Sequence, residues 1–477
     1  PLGDPENPPC ARLVLTGSMV NHTSDPDEEK AARAALFGRH PYLARLPAGH
    51  GFYVAKLKLT GLWLIDRYGG AATISPTDYF AAAGTAATLP PVSTPAAAAV
   101  SVVSAAAAAV SAAVVSAAAA VAAPAPVLRG ETAEAPPWFS DKAATARWMV
   151  GNLQWGVLST TSTRSAGTTV GAPFGNPYSF ADVDGVPYFY ASGLDASMVD
   201  LFGAGGRPNA TLSLSEAALL GPKGFWWKQK CAIGQPLGDP ENPPCARLVL
   251  TGSMVNHTSD PDEEKAARAA LFGRHPYLAR LPAGHGFYVA KLKLTGLWLI
   301  DRYGGAATIS PTDYFAAAGT AATLPPVSTP AAAAVSVVSA AAAAVSAAVV
   351  SAAAAVAAPA PVLRGETAEA PPWFSDKAAT ARWMVGNLQW GVLSTTSTRS
   401  AGTTVGAPFG NPYSFADVDG VPYFYASGLD ASMVDLFGAG GRPNATLSLS
   451  EAALLGPKGF WWKQKCAIGQ PLGDPEN

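Results

Sequence analysis

Apolar and polar residues alternate most clearly in YSFADVDGVPYFYAS, Tyr178–Ser192, where two runs of period two flank Asp184-Gly185. Successive side chains on a strand point to opposite faces, and Asp-Gly suits a two-residue turn, so this stretch predicts a β-hairpin. WGVLSTTS (Trp155–Ser162), ATLSLS (Ala210–Ser215) and ARLVLTGSMV (Ala246–Val255) read as further strands. FYVAKLKLTGLWLID (Phe287–Asp301) reads as a longer one that bends at Thr295-Gly296. The period changes in SDPDEEKAARAALFGRH (Ser259–His275), which predicts a helix. Asp260 is placed to cap it, Pro261 fits its first turn and Glu263 completes a capping box. Acids gather at its start and Arg274 with His275 at its end, as the helix dipole favours. A second helix is expected over Asp141–Val150 with Ser140 as N-cap, and a short third around Leu194–Phe202, ending at Gly203. About six antiparallel strands with three flanking helices define an α+β class and point to a small barrel.

The whole pattern is written twice. PLGDPEN stands at Pro1–Asn7, Pro236–Asn242 and Pro471–Asn477, and Cys10, Trp63 and Val100 fall on Cys245, Trp298 and Val335. A period of 235 residues is a domain length rather than a solenoid repeat of about 20–50. Such undrifted identity fits a recent tandem duplication, an assembly artefact or a built concatemer, and a start at Pro fits a window on something longer. Low-complexity stretches rich in Ala, Val, Ser, Thr and Pro, the first without charge from Tyr79 to Leu128, divide the chain into 1–80, a linker at 81–137, a complete unit at 138–315, a linker at 316–372, and 373–477. The complete unit is large enough for its own core. The outer pieces are the back half and the front half of the same unit, so they are expected to assemble into a second barrel beside the first. A flexible linker of 57 residues spans roughly 40 Å, enough to pass around a small domain. Halves of identical sequence can equally be exchanged between copies.

With 32 Lys plus Arg against 34 Asp plus Glu, the net charge of −2 suggests no nucleic-acid partner. Ala96–Ala123 is uncharged and long enough for a bilayer, but it has no Leu, Ile or Phe, and AVAAPAP at Ala120–Pro126 resembles a secretory cleavage site. It is expected to be a displaced leader or spacer rather than a span. Cys231 and Cys245, repeated as Cys466 and Cys10, flank a Gly/Pro-rich loop without further ligands at zinc spacing. A disulfide there would stabilise by about 3 kcal/mol; two reduced thiols are the alternative. The triplets beginning at Asn21, Asn209, Asn256 and Asn444 are glycosylation sequons. With the cysteines and the leader-like stretch they favour a secreted or endolysosomal location over an intracellular or organellar one.

The runs WGVLSTTS, FADVDGVPYFYAS, NATLSLS, DPENPPCARLVLTG, LFGRHP and YVAKLKLTGLWLIDRYGG stand in this order and resemble the CREG family. The resemblance implies the split β-barrel of the FMN-binding pyridoxamine-phosphate-oxidase superfamily, here as one complete copy and two complementary halves. It also implies a glycoprotein homodimer, or its intramolecular equivalent, that has lost catalysis and works through an unidentified protein partner. Enzyme-like relatives follow the strand matching YFYAS with an Arg, then a His and an Asn; Gly193, Ser197 and Asp200 stand here. Gly171–Leu201 contains no Lys or Arg, which argues against a flavin phosphate. Thr161, Ser179 and Ser192 are the hydroxyls an FMN cleft would use in the alternative reading, a flavin-dependent oxidoreductase. No catalytic residue, cofactor or metal is otherwise expected. His275 and His285 read as a helix cap and a loop residue, Asp301-Arg302 as a strand end and turn, and Trp226-Trp227 as core or a partner patch.

Overall fold

The computed structural model describes residues 10–21, 25–66, 70–82, 141–219, 241, 245–256, 260–301, 305–317 and 376–454. Ala96–Ala123, Ser140, Cys231, Cys466, Trp226-Trp227 and Arg302 lie outside the described residues. In chain order the first piece forms β1 (Arg12–Asn21), α1 (Pro26–Arg39), β2 (Phe52–Ile65), β3 (Ala72–Ile74) and α2 (Pro76–Ala81). The middle piece begins with α3 (Lys142–Asn152), β4 (Trp155–Thr161), β5 (Pro173–Ser179), β6 (Ala181–Val183), β7 (Val186–Ser192), α4 (Ala196–Phe202) and β8 (Asn209–Ser215). It continues with β9 (Arg247–Asn256), α5 (Pro261–Arg274), β10 (Phe287–Ile300), β11 (Ala307–Ile309) and α6 (Pro311–Ala316). The last piece repeats the opening of the middle one as α7 (Lys377–Asn387), β12 (Trp390–Thr396), β13 (Pro408–Ser414), β14 (Ala416–Val418), β15 (Val421–Ser427), α8 (Ala431–Phe437) and β16 (Asn444–Ser450).

These strands make two curled antiparallel sheets of eight. One, in the order β5-β4-β8-β9-β10-β7-β6 with β11 on β10, uses the middle piece alone. The other, β13-β12-β16-β1-β2-β15-β14 with β3 on β2, draws on both outer pieces. Its central ladder sets Arg12 opposite Ser450 and Ser18 opposite Asn444, repeating the register that sets Arg247 opposite Ser215 and Ser253 opposite Asn209. Leu13, Leu57 and Leu64 from the first piece share a core with Trp383, Phe415 and Leu447 from the last, so neither piece has a complete core without the other.

Local chemistry explains the elements. Asp184 and Gly185 adopt φ of 50° and 86°, the left-handed turn that Asp-Gly tolerates, and join β6 to β7. Asp260 caps α5 by accepting from the Asp262 and Glu263 amides, while the Glu263 carboxylate extends to Lys291 and the Tyr188 hydroxyl. Asp141, not Ser140, caps α3 by accepting from the Ala144 amide. The long strand bends as expected, its register shifting between Leu294 and Gly296. Three elements of the middle barrel, β5, β11 and α6, exceed the sequence expectation. β5 carries Pro173 and Pro177, which edge strands tolerate because one row of amides goes unpaired by the sheet.

Arg274 ends α5 and holds the carbonyls of Gly151 and Leu153 at 3.1 Å and the Asp182 carboxylate at 2.6 Å. It thereby ties the second half of the barrel to α3 and β6 of the first. Arg39 does the same for Gly386, Leu388 and Asp417. His275 caps the same helix end, buried, with its Nε2 2.9 Å from the Phe180 carbonyl.

The barrels meet along β4, β5, β8 and their counterparts. Ser159 and its own repeat Ser394 hydrogen-bond through their hydroxyls at 2.9 Å. Ser213 donates to the Gly410 carbonyl at 2.9 Å and Ser448 to the Gly175 carbonyl at 2.8 Å. Trp155 stacks on Trp390, centroids 5.7 Å apart. Each barrel also extends a loop: Gly167, at φ 68°, lies where a Cβ would stand 2.8 Å from the Leu62 carbonyl, and its own carbonyl accepts from Thr16.

Truncating Arg274 to Ala strands buried carbonyls and Asp182. It is expected to lower the unfolding free energy by about 3 kcal/mol. Arg268→Ala, which removes partly exposed contacts with Glu264 and the Tyr190 ring, should cost about 1 kcal/mol or less. Urea midpoints of the two variants provide the comparison.

Candidate functional site at the seam

Where the barrels meet, a cavity of about 560 Å³ opens between β15, α8 and the segment before β2 on one side and β9 and β10 on the other. That size suits a small molecule. One wall is aromatic: His50 stacks on Phe52, and Phe52 on Tyr425, with interplanar angles of 4° and 16°. Trp298 and Ile300 lie across from them, and Leu429 is strongly exposed at the rim.

The arginines of this cavity face acids, although the buried Arg247 Nε has no hydrogen-bond partner among the described residues. Arg399 grips the fully buried Asp435 through Nε at 2.9 Å and Nη2 at 2.8 Å. Thr395 and the Thr398 amide also donate to that carboxylate. Arg247 donates to the Pro412 carbonyl at 3.0 Å, with Glu241 at 3.9 Å. The Glu241 carboxylate accepts from the Ser414 amide at 2.8 Å. Asp430 caps α8 through the Ser432 amide and accepts from the Tyr413 hydroxyl. Burial, then Asp430, pushes that hydroxyl well above its ordinary range. Among the described residues lining the cavity, both arginines therefore already face acids.

The sequence-derived positions scatter. Thr161 and Ser179 sit at opposite ends of the β4–β5 ladder, paired with Pro173 and Trp155. Six strand positions separate them, roughly 20 Å. The Ser179 hydroxyl meets that of Tyr277 at 3.1 Å. Ser192 donates to the His285 carbonyl at 2.6 Å and accepts from the Leu194 amide. Thr161, Ser179 and Ser192 thus form no common cleft, and the hydroxyls of the two serines serve loop and strand closure. Only the repeat of Ser192, Ser427, lines the cavity. Asp200 is not an isolated acid but the partner of Arg164, at 2.8 Å, the same pair as Asp435 with Arg399. Arg164 lies just before the window read as lacking cations, in a loop after β4. Arg247 comes from a strand far along the chain. Asp301, expected as a strand end, is buried against Lys142.

Cys10 and Cys245 are both disulfide-bonded; Cys231 and Cys466 fall outside the described residues. Asn21, Asn209, Asn256 and Asn444 are all exposed at strand ends. Among the described residues there is no group of three or more potential metal ligands, and no helix is long and apolar enough to cross a membrane. His285 is exposed and stacks against Phe287.

Two paired barrels with a seam cleft and these motifs define a class, and comparison with known proteins names it. The family model described as CREG, beta-barrel matches residues 2–81, 137–316 and 372–467. The chain belongs to the CREG β-barrel family. It is similar to Protein CREG2 of Homo sapiens, 36% identical over 193 residues that span 39% of this chain and 60% of that protein. It is also similar to Protein CREG1 of Gallus gallus, 31% identical over 182 residues, 37% of this chain and 85% of the relative. A solved heme binding protein from Mycobacterium smegmatis shares 21% identity over 37% of this chain and 61% of its own, with a TM-score of 0.29.

Two measurements probe the site's electrostatics. Asp435→Asn leaves Arg399 without its counter-charge in a buried place and should cost about 3 kcal/mol of stability, read by denaturant unfolding. Burial, then Asp195 and Asp430, raises the Tyr288 and Tyr53 hydroxyls from 10.0 to about 12. Folding thus favours the neutral phenols. Their contribution is intact below pH 10 and is lost as pH rises toward about 12. Tyrosinate absorbance should lag that of free tyrosine in this window while urea midpoints fall.

Proposed function

We propose that this chain is a non-catalytic CREG-type glycoprotein of the secretory or endolysosomal route, acting through paired barrels that present a joint surface to a protein partner. The pairing of both cavity arginines with acids, close for Arg399 and looser for Arg247, carries this reading. A flavin phosphate needs cationic side chains and amides that are open to it, and Arg399 and Arg247 are each turned to acids and carbonyls. Exposed sequon asparagines and two half-cystines support an oxidising, glycosylating compartment.

The second reading, an FMN-dependent oxidoreductase, draws support from the size and aromatic wall of the seam cavity. Titrating FMN with the full chain separates the two. Flavin fluorescence is expected to remain unquenched, and protein secreted from a eukaryotic host should lose mass on N-glycosidase treatment. Stoichiometric, tightly retained FMN would overturn the non-catalytic reading.

A further inference from the structure

We propose that the joint between half barrels is an interaction surface for a second copy of this chain, residues 12–81 of one copy seating on residues 376–454 of another. Three observations converge on it. The first is degeneracy of contact. The ladder that joins β8 to β9 is repeated residue for residue between β16 and β1. The same holds beyond the backbone. Tyr314 donates to the Gly185 carbonyl at 2.7 Å as Tyr79 does to the Gly420 carbonyl. Arg274 meets Asp182 as Arg39 meets Asp417, and Lys142 meets Asp301 as Lys377 meets Asp66. A second-half segment therefore has no contact by which to distinguish its own chain's first half from another chain's.

The second observation is sequence distance. Within the composite barrel the Ala11 amide donates to Glu451, 440 residues away. Closing so long a loop within one chain competes with an encounter between chains. That closure carries an entropy cost which grows with the logarithm of length, and pairing between copies avoids it as concentration rises.

The third is placement of the junctions. Cys10 and Cys245, which precede β1 and β9, lie in one buried cluster with Ala217 and Ala452, which follow β8 and β16. Trp155 and Trp390, stacked across the seam, belong to it too. The starts of both second halves and the ends of both first halves thus meet at one spot. In the composite barrel β16 and β1 come from opposite ends of the sequence with no direct connection between them, so the two halves can be supplied by two copies without altering a strand, a core contact or the seam. Reciprocal exchange then gives a dimer with two middle barrels and two composite ones, every contact kept.

The test uses full-length chain in isotopically heavy and light batches. These are unfolded under reduction, mixed in equal amounts and refolded with oxidation at two concentrations a decade apart, then weighed by native mass spectrometry. Mixed heavy–light dimers are expected, with a dimer-to-monomer ratio that rises between about threefold and tenfold across the two concentrations. Specificity is read from one chain carrying Asp66→Lys and another carrying Lys377→Glu. Each alone sets like charges together in its composite barrel. In a dimer of the two, every introduced charge faces its opposite, so mixed dimers should outnumber homodimers several-fold. Monomer alone at both concentrations overturns the proposal, because the halves then close only within a chain. Dimers indifferent to the charge variants also overturn it, since the copies would then be meeting elsewhere.

Discussion

Half of this barrel is an open sheet edge lying over half of a core, and the antiparallel ladder between β8 and β9 closes both at once. β9 is flanked on each side, and Leu248, Val249 and Leu250 are fully buried. Everything else is referred to that joint. The bulge in β10, the Arg274 anchor and the packing of α3 all take their positions from strands that the ladder has already set. The composite barrel shows how little this depends on chain continuity, since β16 and β1 make the same ladder from segments at opposite ends of the sequence.

The seam follows from the same geometry. β4 and β5 are buried on both faces, one by the barrel core and the other by the neighbouring barrel. A dry apolar seam was open to such strands, yet serine hydroxyls meet glycine carbonyls or their own repeat there. The cavity beside it is aromatic on one wall and charge-balanced on the other. Of its cations, Arg399 is gripped by an acid of its own barrel, and Arg247 faces Glu241 at 3.9 Å.

The sequence was readable where short-range rules dominate. Asp184-Gly185 announces its hairpin, Asp260-Pro261 its helix, and Thr295-Gly296 its bend, because each is decided within a few residues. β5 escaped because two prolines and burial on both faces erase the alternation that marks a half-exposed strand. The cleft escaped for a different reason. Arg247 and Arg164 approach their acids from separate strands and loops, and no spacing rule links Arg164 to Asp200 across 36 residues. The resemblance to CREG supplied the fold, but a search for open cations within one window overlooked a pairing made from outside it. Repeats at a fixed offset were fully visible, and they foretold which segments share a sheet.

Ser159 touches its own duplicate, Ser394. Were the barrels separate copies of a single shorter polypeptide, any replacement there would strike both sides simultaneously, and a bulky side chain would collide with itself. Fusion into one polypeptide uncouples the two sides. Evolution or a designer can enlarge one residue and shrink its mate, turning a symmetric contact into a directional lock and letting the two barrels diverge in role.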